Sequence, residues 1–239
     1  MSNHYTTRCT VTGDPDAIEQ FYALMFMPHV DEGERFDFER IFPLPDCFAD
    51  QLANGVNGIT NEILAILCEP IGMNVIWDHV AKFRPGMGEW PGLFNFKDRG
   101  GMAAVIEQAY PGEIAKARKS ALCFGLTGYF SIFDWCYANW GTKWNSYRVQ
   151  FDDRQDGRLY FRFETANGFP RPIFDELAKR FPSLKFECAY FDEGWGQAGR
   201  GFFNGSDSEP PFADEPPTNE LYEIVYGEPP EHDEQTCAG

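Results

Sequence analysis

Three tryptophans fall within ten residues, at Trp135, Trp140 and Trp144, with polar groups set among them. The segment reads Trp135-Cys136-Tyr137-Ala138-Asn139-Trp140-Gly141-Thr142-Lys143-Trp144-Asn145. Gly141 suits the end of a helix, where a left-handed backbone costs glycine little. Lys143 then lies between two indoles across a tight turn. Such a turn could floor a pocket for an anion or a planar ligand, with Lys143 and Asn145 as polar contacts. Trp140, Lys143, Trp144 and Asn145 are therefore the candidate ligand contacts. The same residues also suit a plug between a helix and a hairpin, with Lys143 stacked on an indole or capping helix carbonyls.

Asp192, Glu193 and Trp195 form a second candidate group. Two carboxylates beside an indole at a hairpin tip are possible acid/base residues. Turn geometry explains Gly194 and Gly196 without a ligand. Other constellations are weaker. Trp77-Asp78-His79 places a carboxylate beside a histidine, but sequence neighbours diverge on a helix. Cys136 near Asp134 has no partner histidine, and its apolar setting reads as a buried thiol. Asp152, Asp153 and Asp156 cluster in a turn without the spacing of a calcium loop. His4, His29, His79 and His232 are scattered and form no zinc cluster with a cysteine. The glycine-rich spots, Gly100-Gly101 included, match neither a phosphate loop nor a dinucleotide fingerprint. No metal and no cofactor is expected, the pattern identifies no catalytic residue, and the chain reads as a binding protein more than as an enzyme.

The elements that must carry these residues follow from periodicity. Tyr5, Thr7, Cys9 and Val11 alternate with Thr6, Arg8, Thr10 and Thr12, which is the pattern of a half-buried strand. Asp14 is placed to cap a helix with Pro15 at its first position. Ile18, Phe21, Tyr22 and Met25 repeat as one helical face, and Pro28 ends it. Phe36–Phe42 reads as a second strand, so residues 1–45 form a strand–helix–strand unit. Residues 46–145 read as a helical insertion. Its candidate helices are Asn61–Leu67, Met73–Lys82, Met102–Ala109 and Glu113–Cys136, the last breaking near Gly125 or Gly128. Arg84–Gly101 reads as a loop.

Residues 146–205 are clearer. Tyr147, Val149 and Phe151, then Leu159, Phe161 and Phe163, mark a hairpin. Pro172 opens a helix facing inward through Ile173, Phe174, Leu177, Ala178 and Phe181, and Pro182 closes it. Leu184–Tyr190 and Gln197–Phe203 are further strands. Residues 206–239 read as an acidic, proline-rich, solvated tail with a possible edge strand over 221–226. The expected fold is α+β. It has a ferredoxin-like antiparallel sheet, helices mainly on one face and a helical insertion, with the N-terminal residues supplying a second strand–helix–strand unit.

Trp-Cys-x-x-Asn-Trp-Gly-Thr-Lys-Trp-Asn at Trp135–Asn145 resembles the signature of the YubB-like family. Arg8-Cys9-Thr10-Val11-Thr12-Gly13, Phe42-Pro43-Leu44-Pro45 and Leu184–Glu193 followed by Gly194-Trp195-Gly196 agree with it. The resemblance covers most of residues 5–205. It implies a bacterial protein of plasmids, genomic islands or phage-related elements, with a C-terminal ferredoxin-like domain of Api-ninety-two-like proteins. It supplies no catalytic residue.

The chain has 239 residues, 16% of them aromatic, so it can build a large core. Its net charge is −17. That charge opposes ordinary binding to a nucleic-acid backbone, which calls for a basic face. From Gly201 onward there are ten acidic residues and no Lys or Arg. An acidic arm of this kind either keeps a chain soluble or engages a basic partner. The longest uncharged apolar run, Ser120–Phe133, is too short to span a bilayer, which takes about 20 residues. The seven cysteines include no C-x-x-C pair and suggest reduced thiols in a bacterial cytoplasm. The expected function is that of a mobile-element accessory protein that binds a host or element-encoded protein, with counter-defence as one form of it. A ligand-binding or enzymatic site at the tryptophan-rich turn is the alternative.

Overall fold

The computed structural model describes residues 3–30, 33–51, 107–108, 110–155 and 157–230. The helices expected at Asn61–Leu67 and Met73–Lys82, the loop Arg84–Gly101 and the Trp77-Asp78-His79 triplet lie outside them. The helix expected over Met102–Ala109 is described only at 107–108. The elements begin with β1 (His4–Gly13), α1 (Pro15–Met25), β2 (Phe26–His29), β3 (Gly33–Phe36), α2 (Glu113–Thr127) and α3 (Ile132–Trp140). They continue with β4 (Tyr147–Gln155), β5 (Arg158–Ala166), α4 (Arg171–Arg180), β6 (Leu184–Asp192), β7 (Ala198–Phe203), β8 (Ala213–Glu215) and α5 (Asn219–Tyr226). The chain divides into two compact units, Met1–Pro43 with Cys136–Gly239, and Leu44–Trp135.

The first unit is built on a six-stranded sheet of order β4-β5-β1-β6-β7-β8, with every pairing antiparallel. Within it, β1-α1-β4-β5-α4-β6 runs strand–helix–strand twice, and the order β4-β5-β1-β6 is that of a ferredoxin-like sheet. Asp14 caps α1 as expected, its Oδ2 accepting from the Ala17 N–H at 3.0 Å, with Pro15 in the first turn. The second strand of the first half is not Phe36–Phe42. It is β4, which the chain reaches only after the insertion. Phe36 instead ends a short hairpin, β2 with β3, in a separate two-stranded sheet. Asp37 then accepts from the Glu39 N–H and turns Phe38–Arg40 into a 3₁₀ turn. A short polar side chain that bonds its own following backbone competes with strand pairing, and here it wins.

The core lies on one sheet face, under α1 and α4. Phe21 of α1 packs against Phe36, Phe161 and Phe186, and Phe174 of α4 against Phe163 and Phe186. All six rings are fully buried. Offset and edge-on ring pairs add about 0.5–1.5 kcal/mol each to the burial of their apolar area.

The opposite face is partly covered by the acidic C-terminal segment, which is folded through residue 226. Tyr222–Tyr226 is helical rather than an edge strand. The Thr218 Oγ1 accepts from the Leu221 N–H at 3.2 Å, and Gly227 ends the helix with φ 83°. Leu221 and Val225, one turn apart, bury against Ala189, Phe191 and Ala198. Tyr, Ile and Val favour strands in isolation, but this cap and this spacing outweigh that tendency.

In the second unit, Asp46–Gln51 forms a 3₁₀ turn, and the Cys123 thiol of α2 donates to the Cys47 carbonyl at 3.0 Å. The helix expected over Glu113–Cys136 breaks at Gly128, whose φ is 82°. Ser131 restarts it by accepting from the Asp134 N–H.

Candidate functional site

The tryptophan-rich turn lies between α3 and β4, and its polar groups are tied into the fold. Gly141, at φ 79°, closes α3 by donating to the Cys136 and Tyr137 carbonyls. The Trp140 indole N–H donates to the Phe42 carbonyl at 2.9 Å, and the ring is 3% exposed. Thr142 donates to the Trp144 carbonyl at 2.7 Å, and the Lys143 N–H to the Ala166 carbonyl at 3.0 Å. The Lys143 ammonium stands 4.9 Å from the centre of the Trp144 ring.

Asn145 is the hub. Its Oδ1 accepts from the Phe38 N–H at 3.0 Å and the Ser146 N–H at 2.9 Å, while its Nδ2 donates to Asp37 at 2.7 Å. Ser146 adds a bond to the Phe36 carbonyl at 2.7 Å. Residues about a hundred positions apart are thereby fastened together. Cys136, on the preceding helical turn, is fully buried, and burial pushes its thiol up to about 12. A thiol of that kind is almost wholly protonated near neutrality and is a poor nucleophile.

Asp192, Glu193 and Trp195 form the β6–β7 turn. Asp192 is 2% exposed, and its two carboxylate oxygens accept from the Gly194 and Gly196 N–H groups at 3.0 and 3.1 Å. A Cβ on Gly196 would stand 2.8 Å from the same carboxylate. Glu193 accepts from the His4 N–H at 2.8 Å. Trp195, at φ 57°, stacks on Tyr222 of α5 and meets Phe191 edge-on. The structure thus places these three residues in their own turn, and Trp195 against α5.

Two clusters have no counterpart in the sequence reading. His4 Nδ1 shares a 2.7 Å hydrogen bond with the Tyr147 hydroxyl and lies 3.5 Å from Glu164, which also pairs with Arg148 at 2.9 Å. Arg8 of β1, Arg158 of β5 and Arg200 of β7 line a cavity on the sheet face opposite the aromatic core. In the sequence pattern only Arg8 stands on a row opposite buried residues. Only the strand order shows that the three arginines share a cavity. Among the described residues no three His, Cys, Asp or Glu side chains group as a metal site, and no helix is long and apolar enough to cross a membrane.

The strand order and the paired strand–helix–strand halves, with α1 and α4 on one face, define a ferredoxin-like α+β domain. Residues 140–215 match the family described as the ferredoxin-like domain in Api92-like protein. Over these residues the chain is similar to that family. A crystal structure of a protein api92 from Yersinia pseudotuberculosis is similar at 12% identity and a TM-score of 0.42, covering 91% of this chain and 100% of that one. No curated protein matches the chain.

Proposed function

We propose that the chain is a non-catalytic accessory protein of a bacterial mobile genetic element, and that it acts in the cytoplasm by binding a host or element-encoded protein. The observation that carries this reading is the segregation of charge. Residues 201–239 hold ten carboxylates and no cation, and Asp207, Glu223 and Glu228 are exposed among the described residues of that stretch. A surface of that sign steers and holds a basic protein partner. The Asn145 amide, bonded to Phe38, Ser146 and Asp37, and the buried Asp192, bonded to its own turn, add support, since both side chains spend hydrogen bonds inside the fold. The resemblance at Trp135–Asn145 supplies the mobile-element setting, in which blocking a host defence protein is one use of such a surface.

The test is affinity capture from bacterial lysate with the full chain and with a D207N/E223Q/E228Q variant, read by mass spectrometry across a salt series. A partner retained by the wild type, lost in the variant and released by salt supports the reading. Equal capture by both chains overturns the charge argument.

A further inference from the structure

Helix α5 covers one end of the outer sheet face. Beside it opens a cavity of about 420 Å³, whose walls include Arg8, Thr10, Arg158, Tyr160, Glu187 and Arg200. A volume of this order takes a ligand of nucleotide size. Register explains how residues so distant in sequence meet. Tyr160, Thr10 and Glu187 are successive partners across β5, β1 and β6, and Arg8 pairs with Ala189 on the next row. Thr10 and Ala189 are small and leave a low floor between taller side chains.

The charges here run against the rest of the molecule. In a chain of net charge −17, Arg8 and Arg162 stand directly opposite each other on β1 and β5. Like charges in that position weaken a sheet. Each spends a donor on the end of α5, Arg8 on the Ile224 carbonyl at 2.9 Å and Arg162 on the Tyr226 carbonyl at 3.2 Å. Arg200 is matched by Glu215 at 3.2 Å and Glu220 at 2.9 Å. Arg8 and Arg158 form no ion pair with a carboxylate of the described residues. Arg158 lies over the Tyr160 ring, 4.4 Å from its centre. Two guanidiniums without a carboxylate partner therefore share one cavity with the hydroxyls of Thr10 and Tyr160.

We propose that this cavity binds a phosphate-bearing small molecule, the phosphate lying between Arg8 and Arg158 and accepting from Thr10 and Tyr160. The guanidinium fork fits phosphate oxygens in pairs. Two forks and two hydroxyls offer more donors than the two oxygens of a carboxylate can use. Glu187 faces the donors of the rest of the ligand, such as sugar hydroxyls or an amino group. This site is separate from the acidic surface proposed above, and none of the residues altered to test that surface lines it.

The experiment is calorimetric titration of the full chain at low ionic strength with adenosine monophosphate, inorganic phosphate and citrate. R158Q and T10V are the test variants. R171Q, on α4 across the sheet, is the control for loss of one charge. R158Q is chosen because Arg158 is exposed and anchors nothing but its own ring contact, so the fold survives. The expected result is phosphate-dependent binding that weakens roughly tenfold or more in R158Q, weakens in T10V and is unchanged in R171Q. Tighter binding of the nucleotide than of phosphate identifies a nucleoside phosphate as the source. Equal binding of both identifies the free anion. Absence of binding by nucleotide and phosphate, binding of citrate alone, or binding indifferent to R158Q and T10V overturns the proposal.

Discussion

A Cβ on Gly168 would collide with the carbonyl oxygen of Gly141, so the end of α3 and the loop entering α4 touch backbone to backbone. The reverse contact is as close. A Cβ on Gly141 would stand 2.8 Å from the Phe169 carbonyl and 2.9 Å from Pro172 Cδ, at a φ that disfavours any side chain. The glycine inside the tryptophan-rich segment is therefore a packing requirement.

Gly141→Ala and Gly168→Ala should each cost about 2 kcal/mol or more. Urea denaturation monitored by tryptophan fluorescence reads this as a lowered midpoint at unchanged slope. A loss below about 0.5 kcal/mol in both would show that the loop relaxes freely.

Asn145→Ala removes three hydrogen bonds and leaves the Phe38 and Ser146 N–H groups unpaired. A loss of about 2–3 kcal/mol follows. Lys143→Ala removes a cation–π contact worth about 0.5–1 kcal/mol and should be the milder change. Thermal unfolding of the two variants ranks them, and the opposite order would return Lys143 to the centre of the segment's role.

Leu221→Ala should cost about 2–4 kcal/mol, because Leu221 is 1% exposed against Ala189, Phe191 and Ala198. Hydrogen exchange would show lost protection along β6 and β7. Unchanged stability would mean that the acidic segment is an appendage to the domain.

The thiols of Cys9, Cys136 and Cys188 are buried, and burial raises both Cys136 and Cys188. Iodoacetamide at pH 8 should leave all three unlabelled in the folded protein and label them in urea, as peptide mass spectrometry can establish. Rapid labelling of Cys136 in the native state would revive it as a nucleophile.

Lys185, at 2.6 Å, and the Ser206 N–H hold the Glu209 carboxyl down to about 2. A carboxyl lowered by folding contributes stability that is complete above its unfolded value of about 4.3 and fades as the pH falls toward 2. Carbon-detected titration of Glu209 should give a midpoint well below the ordinary range, and Lys185→Met should raise it. An ordinary midpoint in the wild type would remove the pair from the account of that loop.

The sequence revealed the parts of the fold whose periodicity is local. β5 alternates because one face of it is buried, β1 and β6 keep a local alternation of residue type although both their faces are partly covered, and α1 is announced by Asp14-Pro15. The β2–β3 hairpin was illegible because Pro28 reads as a stop and each strand has only four residues. The strand-like composition of Tyr222–Tyr226 hid α5, although Thr218 before it and Gly227 after it were signals of a capped helix. At the candidate sites, the Trp-rich segment was visible as unusual, but its partners Asp37 and Phe38 lie across the insertion. The cavity arginines were invisible as a group because 192 positions separate Arg8 from Arg200. Only pairing across four strands brings them together.

β1 is the inner strand between β5 and β6, and the contacts that fasten it there join residues 160 and 179 positions apart. Loops of that size make native pairing slow to find. On the ribosome, β1 emerges with neither neighbour in existence, and it waits unpaired until Arg158–Ala166 of β5 has been made, and one-sided until β6 follows. At synthesis rates of about 5–20 residues per second, that wait lasts on the order of ten seconds. Throughout it, the apolar row of Tyr5, Cys9 and Val11 is a nascent segment open to chaperones, and the arginine face behind it does not yet exist.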